Sequence, residues 1–186
     1  ANATDEKGQF LFSGYQANTK PFVQTGLNVQ YTGDQGQRMN QVGSARQLPV
    51  SDSGTDVFER IRNGNGVFST TADSLNNGTG IIDKGSVIVP ANLTGANYEI
   101  NFTVAAGVTT YDIVNVTTGS AVSSGNLYTS DSEISFDGIQ LSITGEPANG
   151  DKFTVSPSSN QSIFETVSDL ITALETPSSG QLGSTR

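Results

Sequence analysis

Apolar and polar residues alternate in several short stretches of the chain, which is the pattern of half-buried antiparallel strands. The clearest stretch covers residues 98–104, and its apolar positions are Tyr98, Ile100, Phe102 and Val104. A second strand, "GDKFTV", has Phe153 and Val155 in the same phase. The middle of the chain is therefore predicted to be rich in strands.

The segment "EISFDGIQLSI" predicts a β-hairpin. Asp137-Gly138 is a residue pair that favours a two-residue type I′ turn. With that turn, Phe136 lies opposite Ile139 and Ile134 opposite Leu141. Both apolar pairs then fall on one face, so the turn and the hydrophobic pattern predict the same register.

The end of the chain predicts an amphipathic helix. Ser162 and Glu165 have the spacing of a capping box, and Pro177 follows the helical pattern. The apolar positions cover an arc of roughly 120°, the width of a core-facing stripe. They are Ile163, Phe164, Val167, Leu170, Ile171 and Leu174.

Two further elements are predicted near the N-terminus. "ANATDEKG" is interpreted as the last turns of a helix that Gly8 closes. Leu27, Val29 and Tyr31 alternate in a strand, which we expect to form a hairpin with a second strand through Met39 and Val42.

A short helix is also predicted in "DSGTDVFERIRNGNG". Asp52 or Ser53 would cap it, and its apolar face would consist of Val57, Phe58 and Ile61.

These elements predict an α+β fold that is mostly β. A discontinuous helix-plus-hairpin core domain, residues 1–62 and 157–186, would flank an inserted antiparallel domain, residues 63–156. The inserted domain would be a β-sandwich or barrel-like. This layout arises because helical patterns occur at both ends of the chain and strand patterns in between.

Composition limits the chemistry that the chain can perform. It has no Cys and no His, which excludes Ser-His-Asp and Cys-His catalysis and nearly all zinc and copper sites. We therefore predict no enzyme, cofactor or metal site. Residues 67–186 contain twelve acids and three bases, which disfavours nucleic acid as a partner. No apolar run reaches the roughly 20 residues of a membrane span.

Several motifs have simpler interpretations than ligand binding. "NGNG" at 63–66 and "NGTG" at 77–80 lack the lysine of a phosphate-binding loop and are interpreted as turns. Asp131, Glu133 and Asp137 do not have the spacing of an EF-hand. Four arginines are expected to meet acidic groups in the chain or in a neighbouring subunit. They are Arg38, Arg46, Arg60 and Arg62.

Four segments, taken together and in order, resemble a known family. They are "GQFLFSGYQANTKPF", "DSGTDVFERIRNGNGVFST", "ISFDGIQLSITGEPANGDKFTV" and "SNQSIFETVSDLITALE". The set resembles the third hook-associated proteins of the flagellin superfamily, which form the junction between flagellar hook and filament. The third segment also resembles the first hook-associated proteins, whereas "FLFSG" and "SIFETVSDL" favour the third.

The resemblance implies a structural role in the bacterial flagellum and partners to match it. Those partners are the first hook-associated protein, flagellin, other copies in a closed ring of about eleven, and an export chaperone that binds a terminal helix. It also implies an extracellular location after export through the flagellar channel, a route that suits a chain without cysteine. Family members carry long terminal helices, so we expect this chain to be a soluble, monomeric core fragment.

The resemblance further implies which residues pack within the subunit or contact its neighbours. In the first part of the chain they are Phe10, Leu11, Phe12, Gly14 and Phe58, and in the last helix they are the six apolar residues listed above. The helix would bury its stripe against the hairpin region. The alternative function is a cell-surface adhesin or carbohydrate-binding β-module, although the chain has no Trp and only five Tyr for stacking on sugars.

Overall fold

A computed structural model of the chain describes residues 1–175, which form two compact units built mostly of antiparallel strands. The first unit comprises Ala1–Ile61 and Asn160–Asp169, and the second comprises Arg62–Ser159, with the residues from Leu170 grouped with it. Strand β5 (Ile61–Arg62) pairs with β15 (Asn160–Gln161). The predicted α+β class with a majority of strands is confirmed.

The second unit contains two antiparallel sheets. The five-stranded sheet has the order β11–β10–β9–β14–β6. Its strands are β6 (Phe68–Ala72), β9 (Tyr98–Ala105), β10 (Val108–Asn115), β11 (Ser120–Leu127) and β14 (Lys152–Pro157). The other sheet consists of β12 (Glu133–Phe136), β13 (Ile139–Thr144), β7 (Ile81–Ile82) and β8 (Ser86–Val87), with β7 and β8 both paired to β13.

The two sheets of the second unit share one apolar core. Buried residues alternate with more exposed ones along β9, β12, β13 and β14, as the sequence pattern predicts. Within the described residues neither sheet closes into a barrel, so the architecture is a sandwich. The buried residues are Phe68, Ala72, Ile82, Tyr98, Ile100, Phe102, Ile113, Ile134, Phe136, Ile139, Leu141, Ile143, Phe153 and Val155.

The hairpin of β12 and β13 has the predicted turn and register. Phe136 pairs with Ile139 and Ile134 with Leu141. The turn residues Asp137 and Gly138 have φ angles of 43° and 80°, the left-handed conformation that a type I′ turn requires at both positions. The Asp137 carboxylate is engaged inside the unit, because it accepts a hydrogen bond of 2.6 Å from the Tyr98 hydroxyl.

The "NGTG" segment forms a turn around a carboxylate of the same chain. Asp151 is 2% exposed, and its carboxylate accepts hydrogen bonds of 2.8–3.0 Å from the backbone N–H groups of Asn77, Gly78 and Ala148. A Cβ on Gly78 would lie 2.5 Å from Asp151 Oδ2. The loop therefore does hold an anion, and that anion belongs to the fold.

The first unit contains two separate hairpins, which corrects one prediction. Strand β1 (Phe22–Thr25) pairs with β2 (Asn28–Tyr31), and β3 (Met39–Gly43) pairs with β4 (Arg46–Pro49). The strand around Val29 therefore exists, but it pairs with the preceding strand and not with the Met39 strand. Gly26, with φ of 63°, allows the two-residue turn that determines this pairing.

The predicted N-terminal helix is wrong. Residues 5–8 form a turn, in which the Asp5 carboxylate accepts hydrogen bonds from the N–H groups of Lys7 (2.9 Å) and Gln9 (2.8 Å). Aspartate often closes turns of this kind through its side chain. Gly8 does have the expected left-handed conformation, with φ of 76°.

The predicted short helix is a single wide turn. Thr55–Glu59 forms a π-helical turn, closed by a hydrogen bond from Arg60 N–H to Thr55 O. Gly54 occupies its N-cap position without a side-chain cap, so neither Asp52 nor Ser53 caps it. Phe58 is half-buried, whereas Val57 and Ile61 are exposed. In the second unit, Pro90–Asn92 adds one 3-10 turn.

The last helix, α1, extends over Ile163–Glu175 and confirms the predicted start. Ser162 Oγ accepts a hydrogen bond of 3.2 Å from the N–H of Phe164, which satisfies one of the free donors of the first turn. The predicted end at Pro177 lies outside the described residues.

Replacing Asp151 by Asn is expected to destabilise the second unit by about 2–3 kcal/mol, because the change removes charge from a buried acceptor of three backbone N–H groups and points an amide donor at them. Urea unfolding of the purified chain measures the loss. Asp73→Asn is the matched control, since Asp73 is exposed and accepts one local hydrogen bond from Leu75 N–H. An equal effect of both changes would contradict the anchoring role of Asp151.

Alkaline pH is expected to destabilise the sandwich through Tyr98. Burial raises the pKa of its phenol, and the hydrogen bond to the Asp137 carboxylate raises it further. Below the ordinary phenol pKa of about 10 the stabilisation is complete. Above that pH the unfolded chain ionises first, so the free energy of unfolding falls as pH rises towards the folded pKa. Tyr98→Phe should flatten this dependence between about pH 9 and pH 11; an unchanged slope would contradict the assignment.

Candidate assembly surface

Five aromatic rings form the core of the first unit, here called the aromatic cluster. They are Phe12, Phe22, Tyr31, Phe58 and Phe164. The ring centroid of Phe22 lies 5.1 Å from that of Tyr31, 5.3 Å from that of Phe58 and 5.0 Å from that of Phe164. Phe12 adds an edge-to-face contact with Phe58 at 5.1 Å, a geometry that aromatic pairs favour. Phe22 is therefore the centre of the cluster.

Phe22 is also fixed through its backbone. The Asn2 side chain donates a hydrogen bond to Phe22 O and accepts one from Phe22 N–H, both 2.9 Å long. One amide side chain thus supplies the donor and the acceptor that a neighbouring strand would supply. The first residues of the chain are tied to the aromatic cluster in this way.

The segment Phe10–Phe12 packs within the first unit. All three side chains are half-buried. Leu11 O and Phe12 O accept hydrogen bonds from the N–H groups of Asp52 (3.2 Å) and Gly54 (3.0 Å). The segment therefore lies directly against the residues that lead into the π-helical turn.

Position 14 requires a glycine, because Asp34 lies too close to its backbone to leave room for a side chain. Its φ is 68°, and a Cβ at this position would lie 2.0 Å from Asp34 Oδ1. That oxygen accepts hydrogen bonds of 2.8 Å from the N–H groups of Tyr15 and Gly36. Tyr31 completes the arrangement by donating its hydroxyl to Asp34 O at 2.6 Å.

The apolar stripe of α1 is mostly exposed, which corrects the prediction of a core-facing stripe. Phe164 and Ile171 are half-buried. The other four residues, here called the exposed helix stripe, are between 42% and 63% exposed. They are Ile163, Val167, Leu170 and Leu174. Of the stripe, Phe164 is the residue whose ring joins the aromatic cluster.

One of the four arginines meets an acidic group among residues 1–175. Arg60 forms an exposed ion pair with Asp56, with 2.7 Å between Nη1 and Oδ1. Arg38 instead donates to Gln9 Oε1 (2.6 Å) and Phe10 O (3.2 Å), and Arg62 donates to Ser158 O (2.8 Å). Two of these guanidinium groups therefore hold backbone segments in place.

Residues 1–175 contain no group of three or more His, Cys, Asp or Glu side chains placed to hold a metal ion. Over the same residues, no helix is long and apolar enough to cross a membrane. The first unit presents apolar surface to its surroundings, namely Ile163 and Val167 of the exposed helix stripe and the exposed side chains of its hairpins. Such surface is typical of a chain that packs against other chains.

Three residues that organise this surface were absent from the sequence predictions: Asn2, Phe22 and Asp34. Phe22 follows a proline and starts a strand, which the sequence signals only weakly. Asn2 and Asp34 act through side-chain bonds to backbone 20 and 19 residues away, and no local pattern reports such pairs.

Part of the second unit is similar to a domain of a known family. Residues 71–157 match the family model for the D2-like domain of flagellar hook-associated protein 1. Flagellar hook-associated protein 3 of Salmonella typhimurium is 29% identical over 99 residues, which cover 53% of this chain and 31% of that protein.

Solved structures extend the similarity to the whole chain. The flagellar hook-associated protein 3 of Legionella pneumophila has a TM-score of 0.85 and 32% identity, covering 100% of this chain and 59% of that chain. FlgL of Xanthomonas campestris has a TM-score of 0.86 and 31% identity, with the same coverage of both chains. This chain therefore spans about three fifths of the solved relatives that it matches.

Sequence and fold together make the chain similar to flagellar hook-associated proteins. Over its full length the similarity is to solved structures of hook-associated protein 3 and of FlgL.

Replacing Phe22 by Ala should destabilise the first unit by about 3–5 kcal/mol, the usual cost of removing a buried Phe, because three ring contacts are lost at once. Thermal or urea unfolding followed by near-UV circular dichroism measures the change. Tyr15→Ala is the matched control, since Tyr15 is 67% exposed. A loss below about 1 kcal/mol for Phe22→Ala, small for a buried aromatic side chain, would show that the aromatic cluster does not organise the unit.

Proposed function

We propose that this chain is part of a structural subunit of the bacterial flagellum, in which it helps to form the junction between hook and filament. The observation that carries the proposal is the superposition of the entire chain on hook-associated protein 3 structures at TM-scores of 0.85 and 0.86. One of these relatives is described as the flagellar junction protein of Legionella pneumophila. The comparisons favour this function over an adhesin or carbohydrate-binding module.

The two parts of the chain have different roles in this proposal. Residues 1–62 and 157–186 are the core domain, similar to domain D1 of flagellin, and residues 63–156 are the inserted D2-like domain. The match of residues 71–157 to a D2-like family model supports the second assignment. The aromatic cluster, which joins segments from both ends of the sequence, supports the first.

The neighbours of the subunit follow from the place proposed for it. Hook-associated protein 1 lies on its hook side, flagellin on its filament side, and other copies beside it in a ring of about eleven. A chaperone binds a terminal helix before export through the flagellar channel, and the subunit folds outside the cell. Its role is mechanical, without catalysis.

The exposed helix stripe supports an assembly role for α1. Its residues, at positions 163, 167, 170 and 174, are separated by four, three and four positions, the spacing of a seam that packs against another helix. An apolar seam of this kind is costly to leave in water. We therefore assign Ile163, Val167, Leu170 and Leu174 to helix contacts in the complete subunit, with Phe10, Leu11, Phe12, Gly14, Phe58, Phe164 and Ile171 holding the unit that presents them.

Deletion and rescue of the complete gene in its flagellated source tests the proposed function. The deletion should leave hooks without filaments and release flagellin into the medium, because the filament has no junction on which to grow. Electron microscopy of the cells and immunoblotting of the medium measure both effects.

Complementation with the intact gene should restore filaments, and an empty vector should not. Intact filaments on the deletion strain would contradict the junction role and leave only the similarity to hook-associated proteins.

A further inference from the structure

The hairpin of β3 and β4 is fully exposed in the chain. Every residue of Met39–Gly43 and Arg46–Pro49 lies on the surface. Three large apolar side chains are among them, with Met39 49%, Val42 52% and Leu48 41% exposed. A two-stranded hairpin without a covering layer is only marginally stable in water, so this one gains stability when another surface covers it.

The hairpin is anchored only at its base. There, Arg38 N–H donates to Ser51 Oγ (2.9 Å) and Val50 N–H donates to Arg38 O (2.8 Å). Arg38 also binds Gln9 and Phe10 through its guanidinium. Over the described residues, no hydrogen bond or ion pair joins residues 39–49 to any other part of the chain. The hairpin is thus an arm with a fixed base and a free tip.

The arm is positively charged. Residues 37–50 contain Arg38 and Arg46 and no acidic residue. Arg38 is committed to the base, whereas Arg46 lies at the start of β4 with no ion pair among residues 1–175. Arg46 therefore presents a free guanidinium beside the apolar side chains of the arm.

The second unit carries an acidic surface of the opposite sign, here called the acidic rim. It consists of Asp131, Glu133 and Glu146, and none of the three has an ion pair in the described part of the chain. Asp131 and Glu146 both lie near Tyr128, where their charges add to the effect of burial in raising the pKa of the phenol. Glu133 begins β12, opposite Ser142 of β13.

We propose that the β3–β4 arm docks on the acidic rim of a second copy of this chain, with Arg46 facing the carboxylates and Met39, Val42 and Leu48 covered by the contact. The proposal rests on the proposed function, because side-by-side copies are what a ring supplies. Arg46 and the acidic rim have opposite charges, and neither forms an ion pair within residues 1–175. This opposite charge selects the orientation, since complementary potentials determine register at interfaces.

Charge reversal in the complete protein tests this contact. Arg46→Glu, introduced into the gene used for rescue, should lower the fraction of cells with filaments about tenfold, because like charges facing each other at an interface are strongly unfavourable. Adding Glu133→Lys and Glu146→Lys to Arg46→Glu should restore filaments. Lys20→Glu is the matched control: it makes the same charge change at an exposed position of the first unit and should leave filament formation unchanged.

The outcomes separate this inference from the proposed function. Suppose that Arg46→Glu supports filaments as well as Lys20→Glu does, while the deletion strain has bare hooks. The proposed docking of the arm on the acidic rim is then wrong, and the junction role stands. Failure of the triple variant to restore filaments, with the protein secreted at normal levels, would likewise overturn the pairing of arm and rim. If the deletion strain keeps its filaments, the junction role itself fails.

Discussion

The packing of Phe22 against Phe58 and Phe164 is the interaction on which the first unit depends. Phe22 lies in strand β1, Phe58 in the π-helical turn and Phe164 in the last helix. Phe58 is 36 positions and Phe164 is 142 positions from Phe22 along the chain. Holding such distant segments together costs loop-closure entropy that only buried apolar area offsets. Asn2, Arg38 and Asp34 then fix the polypeptide around the rings by hydrogen bonds to its backbone.

The two units are stabilised in different ways. The second unit has a sandwich core drawn from both sheets, and its loops close on internal partners such as Asp151. The first unit has one cluster of rings and a large share of exposed apolar side chains. Such a unit is suited to complete its packing with other chains, which is what a subunit of a filamentous assembly must do.

Much of the second unit could be predicted from the sequence because its signals are local. The Asp137-Gly138 turn, the alternation along residues 98–104 and the phase of Phe153 and Val155 each concern neighbouring residues, and each matches the structure. In the first unit the decisive contacts are long-range. The pattern around Val29 indicated a strand but not its partner, which the turn at Gly26 selects.

The same limit explains the remaining errors. Acidic residues near the start suggested a helix, yet Asp5 uses its carboxylate to close a turn. The stripe of α1 has the width that a core would require, but periodicity cannot distinguish burial within the chain from burial in an assembly. The exposed positions in α1 are therefore the ones to which the proposed function assigns contacts in the complete subunit.

Immunogold electron microscopy of isolated flagella, with an antibody raised against this chain, tests the central claim most directly. Gold particles should lie in a narrow band at the boundary between hook and filament, and the band should be missing from the deletion strain. Labelling along the whole filament, or along the hook, would contradict the assignment of the chain to the junction.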